Sequence, residues 1–125
     1  MIDHVSIAVC DLAASTRFYE AVLGTFGMTA LEKRPATVGF GKTYPDFWIN
    51  LRTDMQPLAG SNGAHICFRA RTREIVDAFH AAVLAAGGSS AGAPGFRPLH
   101  GDGYYAAFVR DLDGNCIEAV AFVKV

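Results

Sequence analysis

The feature that most constrains the fold is an internal repeat at an offset of 61 residues. The identities are few, but they fall at equivalent points of one pattern of structural elements. Duplication of a supersecondary unit accounts for such a pattern. The matched positions are His4 with His65, Phe18 with Phe79, Gly27 with Gly88, and residues 21–23 with residues 82–84.

Each copy predicts a strand, a helix and three further strands. Apolar and polar residues alternate over residues 5–9 and again over residues 66–69, which is typical of a half-buried strand. Asp11 and Thr72 are predicted N-caps of the two helices, which end near glycines. The later strands are predicted at residues 30–33, 37–41 and 47–51 in the first copy, and at 96–99, 104–110 and 116–123 in the second.

These elements predict an α+β fold of two βαβββ modules, which span about residues 1–56 and 63–125. Residues 57–62 form a loop-rich link, and Asp113-Gly114 is a strong signal for a hairpin turn. With 125 residues, of which 51% are hydrophobic, we expect a single domain with a core that needs no disulfide or structural metal.

The alternation also predicts which way the two aligned histidines face. The apolar residues of each first strand must face their own helix, so His4 and His65 lie on the opposite face of the sheet. In the last strand, Ile117 faces the core and Glu118 therefore faces outward with the histidines. We expect two imidazoles and one carboxylate to converge on a single concave surface.

Two histidines and one carboxylate form a known type of metal site that leaves coordination positions open for substrate or water. Zn, Ni, Mn, Fe(II) and Co all suit such a site. A single histidine at the start of a strand is more often an ordinary polar residue. Two histidines at duplicated positions, with Glu118 on the same face, favour a metal.

Three segments resemble the vicinal oxygen chelate superfamily of glyoxalases, bleomycin resistance proteins and extradiol dioxygenases. They are IDHVSIAVCDLAASTRFYEAVLG, GAHICFRA and YYAAFVRDLDGNCIEAVAF. The resemblance covers nearly the whole chain and implies paired βαβββ modules whose curved mixed sheets form a cup. It also implies a small-molecule substrate and assembly as a homodimer.

The resemblance further implies a ligand set of His4, His65 and Glu118. A fourth position, which is a glutamate in glyoxalase I, matches Asn50 here. An asparagine offers a carbonyl oxygen but does not take up a proton near neutral pH. The turn DLDG also departs from the usual DPDG of the family, which affects the rigidity of the turn more than the chemistry.

Several activities within the superfamily remain open. The expected one is a divalent-metal-dependent enzyme, a lyase, isomerase or transferase, acting on a substrate with adjacent oxygens. Glu118 is its expected catalytic base, although Asn50 removes the second carboxylate that glyoxalase chemistry uses. Nucleophile addition of the fosfomycin-resistance type and Fe(II) extradiol dioxygenation are alternatives. So is a metal-free binding protein that sequesters its ligand, but such members typically lack the histidines.

Further residues are predicted to line the cup and contact the substrate. Each has a plainer alternative, such as rim packing for Trp48, solvation for Arg52, a small filler for Cys67 and an exposed loop position for His100. The candidates are Trp48, Asn50, Arg52, Cys67, and His100 together with Tyr104 or Tyr105.

Charge and cysteine content exclude other classes of function. The net charge of −1 arises from 11 basic and 12 acidic residues scattered along the chain, so no binding to nucleic acid or to a membrane surface is expected. Three widely spaced cysteines predict reduced thiols rather than disulfides. With no recognisable signal peptide, we expect a cytoplasmic protein.

Overall fold

The computed structural model describes residues 1–124, which fold into eight strands, two α-helices and one 3₁₀-helix. Each half of the chain follows the order strand, helix, strand, strand, strand. The elements are β1 (Val5–Val9), α1 (Leu12–Gly24), β2 (Thr29–Lys33), β3 (Thr37–Gly41), β4 (Phe47–Leu51), β5 (Ile66–Arg69), α2 (Arg73–Ala85), β6 (Ser89–Phe96), a 3₁₀-helix (Pro98–His100), β7 (Tyr104–Arg110) and β8 (Cys116–Phe122).

The strands form two four-stranded mixed sheets with the same topology. The first sheet has the order β1-β4-β3-β2 and the second has the order β5-β8-β7-β6. In each sheet the first and last strands of the module pair in parallel, and the other pairs are antiparallel. The predicted α+β fold of two βαβββ modules is therefore confirmed.

Both helices begin where the sequence predicts. The side chain of Asp11 accepts a hydrogen bond from the backbone N–H of Ala14 at 3.0 Å, and Thr72 accepts one from Ile75 at 3.4 Å. Each cap satisfies a donor that the first helical turn leaves without a partner. Neither helix of the described chain is long and apolar enough to cross a membrane.

The prediction of a strand over residues 96–99 is wrong. Strand β6 lies earlier in the chain and ends at Phe96, and a 3₁₀-helix follows over Pro98–His100. The sequence of β6, SSAGAPGF, contains mainly small residues with low strand propensity. It therefore shows no alternation of apolar and polar residues that would predict a strand. Gly and Pro are tolerated because β6 is an edge strand whose register shifts between Gly92 and Gly95.

The two modules share one hydrophobic core, to which both helices and the inner faces of both sheets contribute. Phe47 of β4 packs edge-to-face against Phe68 of β5 with ring centroids 5.2 Å apart. Phe26, which follows α1, packs in the same way on Phe79 of α2 at 5.6 Å. Because the inner faces meet at this core, the outer face of each sheet is turned away from it.

A buried polar network also joins the modules, at the turn between β7 and β8. Gly114 takes a φ of 86°, which confirms the turn predicted at Asp113-Gly114. Asp111 is 6% exposed and Asp113 is 1% exposed. The Tyr19 hydroxyl of α1 donates to Asp111 Oδ2 at 2.5 Å, and the backbone N–H of Cys10 donates to Asp113 Oδ1 at 3.0 Å. The second module is thus tied to the first by carboxylates.

Candidate metal-binding site

Glu118 and His65 form a close pair on the outer face of the second sheet. Parallel pairing of β5 with β8 places Cys67 beside Glu118, and His65 stands just before β5. Glu118 is 2% exposed. Its Oε1 lies 3.0 Å from His65 Nε2, and its Oε2 accepts a hydrogen bond from the Tyr104 hydroxyl at 2.5 Å. A buried carboxylate therefore has one oxygen facing an imidazole nitrogen.

The hydrogen bond of the other ring nitrogen, His65 Nδ1, fixes the tautomer of the ring and hence the nature of the contact between Nε2 and Glu118 Oε1. His65 Nδ1 lies 2.9 Å from the carbonyl oxygen of Gly63, which accepts only, so Nδ1 carries the hydrogen. In the neutral ring, Nε2 then directs a lone pair at Glu118 Oε1. Two acceptors at 3.0 Å are stable only with a proton or a cation between them. Among residues 1–124, no lysine or arginine pairs with Glu118.

This pair fits a divalent metal ion. Imidazole nitrogens and carboxylate oxygens bind such ions at about 2.1 Å. Two ligand atoms in neighbouring positions around one ion are then about 3 Å apart, which is the separation of His65 Nε2 and Glu118 Oε1. A carbonyl that holds the second nitrogen of a ligating histidine is the usual way to fix its tautomer.

His4 lies on the first sheet, in a cavity of about 480 Å³. Its Nδ1 is 2.6 Å from Asp3 Oδ1, which leaves Nε2 free to act as a ligand. Within residues 1–124, no three His, Cys, Asp or Glu side chains are arranged to hold a metal ion. A single chain thus brings together His65 and Glu118 but not His4. The prediction that all three side chains meet on one surface therefore does not hold within one chain.

Asn50 and Trp48 line the same cavity as His4, on the outer face of β4. The Asn50 amide donates to the Ser6 hydroxyl, and its oxygen accepts from Thr37 Oγ1 at 2.7 Å. Both ends of the amide are therefore already engaged. Trp48 forms a wall of the cavity, and its Nε1 donates to the carbonyl of Pro45 at 3.0 Å.

Arg52 is placed differently from Trp48 and Asn50. It follows the end of β4, and its Nη1 donates to the carbonyl of Leu51 at 2.9 Å. Arg52 is exposed and is absent from the lining of the His4 cavity. This position agrees with the solvated alternative rather than with an anion clamp at that cavity.

Cys67 lies on the outer face of the second sheet, as its position two residues after His65 predicts. Although the residue is exposed, desolvation of the thiol, followed by the Glu118 carboxylate beside it, raises the pKa of Cys67 to about 12. The thiol is therefore protonated at neutral pH, and a neutral thiol is a poor nucleophile. Its surroundings favour the filler interpretation.

Tyr104, and not Tyr105, belongs to this face. Tyr105 is 6% exposed and donates its hydroxyl to Asp77 at 2.6 Å, so it is removed from the expected substrate-binding residues. Tyr104 holds Glu118, and the ring of His100 packs on Tyr104 at 5.1 Å. The signal was the alternation in β7, where Tyr104 shares a face with Phe108, the partner of Glu118 in the ladder.

Phe108 is the site residue that the sequence reasoning missed, and Tyr104 was predicted only as an alternative to Tyr105. Burial and the nearby Glu118 carboxylate raise the pKa of the Tyr104 hydroxyl well above its ordinary value, so the hydroxyl stays a donor. The Phe108 ring packs against the His65 ring with centroids 6.5 Å apart. Together they cover the carboxylate and the imidazole with one polar and one apolar contact.

Comparison with known proteins places this architecture in a family. The family model of the Glyoxalase/Bleomycin resistance protein/Dioxygenase superfamily matches residues 1–119. The chain is 31% identical over 128 residues to the virulence protein STM3117 of Salmonella typhimurium, which covers 98% of this chain and 84% of that protein.

Solved structures agree. A glyoxalase/bleomycin resistance protein from Albidiferax ferrireducens is 37% identical, with a TM-score of 0.81 over 95% of this chain and 97% of that one. Two further structures share the fold. The fosfomycin resistance protein FosX of Listeria monocytogenes is 19% identical, with a TM-score of 0.73 over 98% of this chain and 93% of that one. The lactoylglutathione lyase of Agrobacterium tumefaciens is 23% identical, with a TM-score of 0.68 over 97% of this chain and 92% of that one.

Proposed function

Because the chain belongs to the glyoxalase/bleomycin resistance protein/dioxygenase superfamily, we propose that it is a divalent-metal-dependent enzyme. Its substrate is a small molecule with oxygens on adjacent carbons. The observation that supports this most is the contact between His65 Nε2 and the buried Glu118 Oε1 at 3.0 Å. Burial of a carboxylate costs several kcal/mol, and a divalent cation bound by both groups offsets that cost.

We further propose that the site is completed in a homodimer. Each chain offers His65 and Glu118 on the outer face of one sheet and His4 on the outer face of the other. A two-fold axis that brings the second sheet of one subunit against the first sheet of its partner creates two equal sites. Each site then has His65 and Glu118 from one chain and the partner subunit's His4.

The chemistry follows from what these residues supply. A divalent metal held by His65, Glu118 and the partner subunit's His4 would supply Lewis-acid polarisation of the adjacent oxygens of the substrate. Glu118 is the group that accepts a proton, which requires its Oε1 to leave the metal, and Tyr104 orients the carboxylate by donating to Oε2. Trp48 provides an apolar wall on the side of the first sheet. Asn50 is held by Ser6 and Thr37 and supplies no second base, which favours single-base lyase or addition chemistry over a two-carboxylate proton shuttle.

Metal titration of the full-length protein tests the proposal. After treatment with EDTA, calorimetry with Mn, Ni and Zn is expected to show one ion per chain.

The His80→Gln variant is the matched control, because His80 contacts Ser90 away from the site. It is expected to bind metal like the parent. Absence of saturable binding of every metal would instead support the metal-free, ligand-sequestering alternative.

A further inference from the structure

Arg97 lies close to the proposed metal site but contacts neither His65 nor Glu118 by a hydrogen bond or an ion pair. It stands between β6 and the 3₁₀-helix and is half-buried. Its guanidinium carbon lies 5.5 Å from the centroid of the Phe108 ring, which itself packs against His65. Arg97 is therefore on the same outer face as His65 and Glu118, with one aromatic ring between them.

The backbone of β6 holds the guanidinium in place. Arg97 Nη2 donates to the carbonyl of Ala93 at 2.6 Å. A Cβ atom added to Gly92 would lie 3.3 Å from Nη2, and one added to Gly95 would lie 3.0 Å from Nη1. The glycines thus leave room for the guanidinium against the strand, at the point where the register of β6 shifts. Irregularities of this kind often redirect a side chain next to a functional site.

Within the part of the chain that the structure describes, the Arg97 guanidinium has no carboxylate partner. Among residues 1–124, the ion pairs are formed by other residues, and no carboxylate oxygen lies within 4.0 Å of a guanidinium nitrogen of Arg97. One N–H donates to Ala93, and the remaining donors are available. A guanidinium that is already fixed by stacking and by a backbone bond loses little freedom when it binds a carboxylate or phosphate in a bidentate manner.

We propose that Arg97 binds an anionic group of the substrate, so that the substrate class is a small anion that also carries adjacent oxygens. The inference rests on the proposed function for the place of those oxygens at His65 and Glu118. The anionic group is a carboxylate, a phosphonate or a phosphate. The Phe108 ring between the two ends fits an apolar or aromatic middle part of the substrate.

Matched ligands test this inference on the full-length protein loaded with Mn. Catechol, 3,4-dihydroxybenzoate and catechol 4-phosphate present the same adjacent oxygens with no anion, a carboxylate and a phosphate, respectively. By calorimetry, the parent is expected to bind at least one of the two anions about tenfold more tightly than catechol. Arg97→Met is expected to lose that preference, and Arg97→Lys to keep part of it, because a lysine supplies a charge without the planar fork.

The controls separate this inference from the proposed function. Catechol binding, metal affinity and thermal stability are expected to stay unchanged in Arg97→Met, and Arg17→Met on the exposed face of α1 is expected to behave like the parent. Normal metal binding without any preference for the anions overturns the inference and leaves the proposed function intact. A preference that persists in Arg97→Met also overturns it. If the protein binds no metal but still shows a preference for the anions that depends on Arg97, the result supports the role of Arg97 and contradicts the metal-dependent function.

Discussion

Replacement of Asp111 by alanine is expected to destabilise the fold by about 3–5 kcal/mol, which is typical of losing one partner in a buried charged network. The Asp111 carboxylate accepts four hydrogen bonds, from the Tyr19 hydroxyl, the backbone N–H groups of Asp113 and Asn115, and the Asn115 side chain. Alanine leaves these donors buried without an acceptor. Urea unfolding at pH 7 measures the loss, and a loss under about 1 kcal/mol would show that the network does not hold the modules together.

The Asp111→Asn variant separates hydrogen bonding from charge. Asparagine keeps one oxygen for the two backbone donors but places an amide nitrogen opposite Tyr19 and the Asn115 side chain, so an intermediate loss is expected. Burial raises the pKa of Asp111. The folded protein therefore holds this proton more tightly than the unfolded chain, and the stabilisation is complete at low pH and falls as the pH rises through the raised pKa. The difference between parent and Asp111→Asn should be larger at pH 4 than at pH 7.

The second large effect is expected at the proposed metal site. Glu118→Gln keeps the shape of the side chain and an oxygen for Tyr104, but it removes the only anion among His4, His65 and Glu118. Metal affinity is expected to fall by at least about tenfold. Calorimetric titration of the EDTA-treated variant with Mn, Ni and Zn measures this change.

Asn50→Ala is the matched comparison for Glu118→Gln, and its effect on metal affinity is expected to be smaller. The Asn50 amide is neutral and is already bonded to Ser6 and Thr37. The assignment would be wrong if Glu118→Gln bound every metal as well as the parent while Asn50→Ala did not.

Much of the fold follows from local patterns. The offset of 61 residues predicts two similar units, Asp11 and Thr72 mark the helix starts, and period-2 alternation gives the outward direction of His65 and Glu118. Strand β6 escapes this reasoning because serine, alanine and glycine carry no alternation. Tyr104 could have been chosen over Tyr105 by extending the alternation of β7, since Tyr104 shares its face with Phe108.

The placement of one module on the other is a different matter. Alternation tells which face of a strand is apolar, but it does not tell which two apolar faces meet. That is decided by tertiary contacts such as Phe47 with Phe68 and Phe26 with Phe79. These contacts turn the outer faces away from the shared core, and so His4 is separated from His65 and Glu118 within one chain.

If each metal site is shared between two subunits, mixing two variants that are damaged at different ligands restores some intact sites. His4→Ala and Glu118→Gln each damage both sites of their own homodimer. When the two variants are unfolded together and refolded in equal amounts, half of the dimers are expected to be mixed, and each mixed dimer contains one intact site. Metal titration of the mixture is expected to recover parental affinity at about a quarter of the sites. Light scattering that returns the mass of one chain, or a refolded mixture with no high-affinity site, would contradict a site shared between subunits.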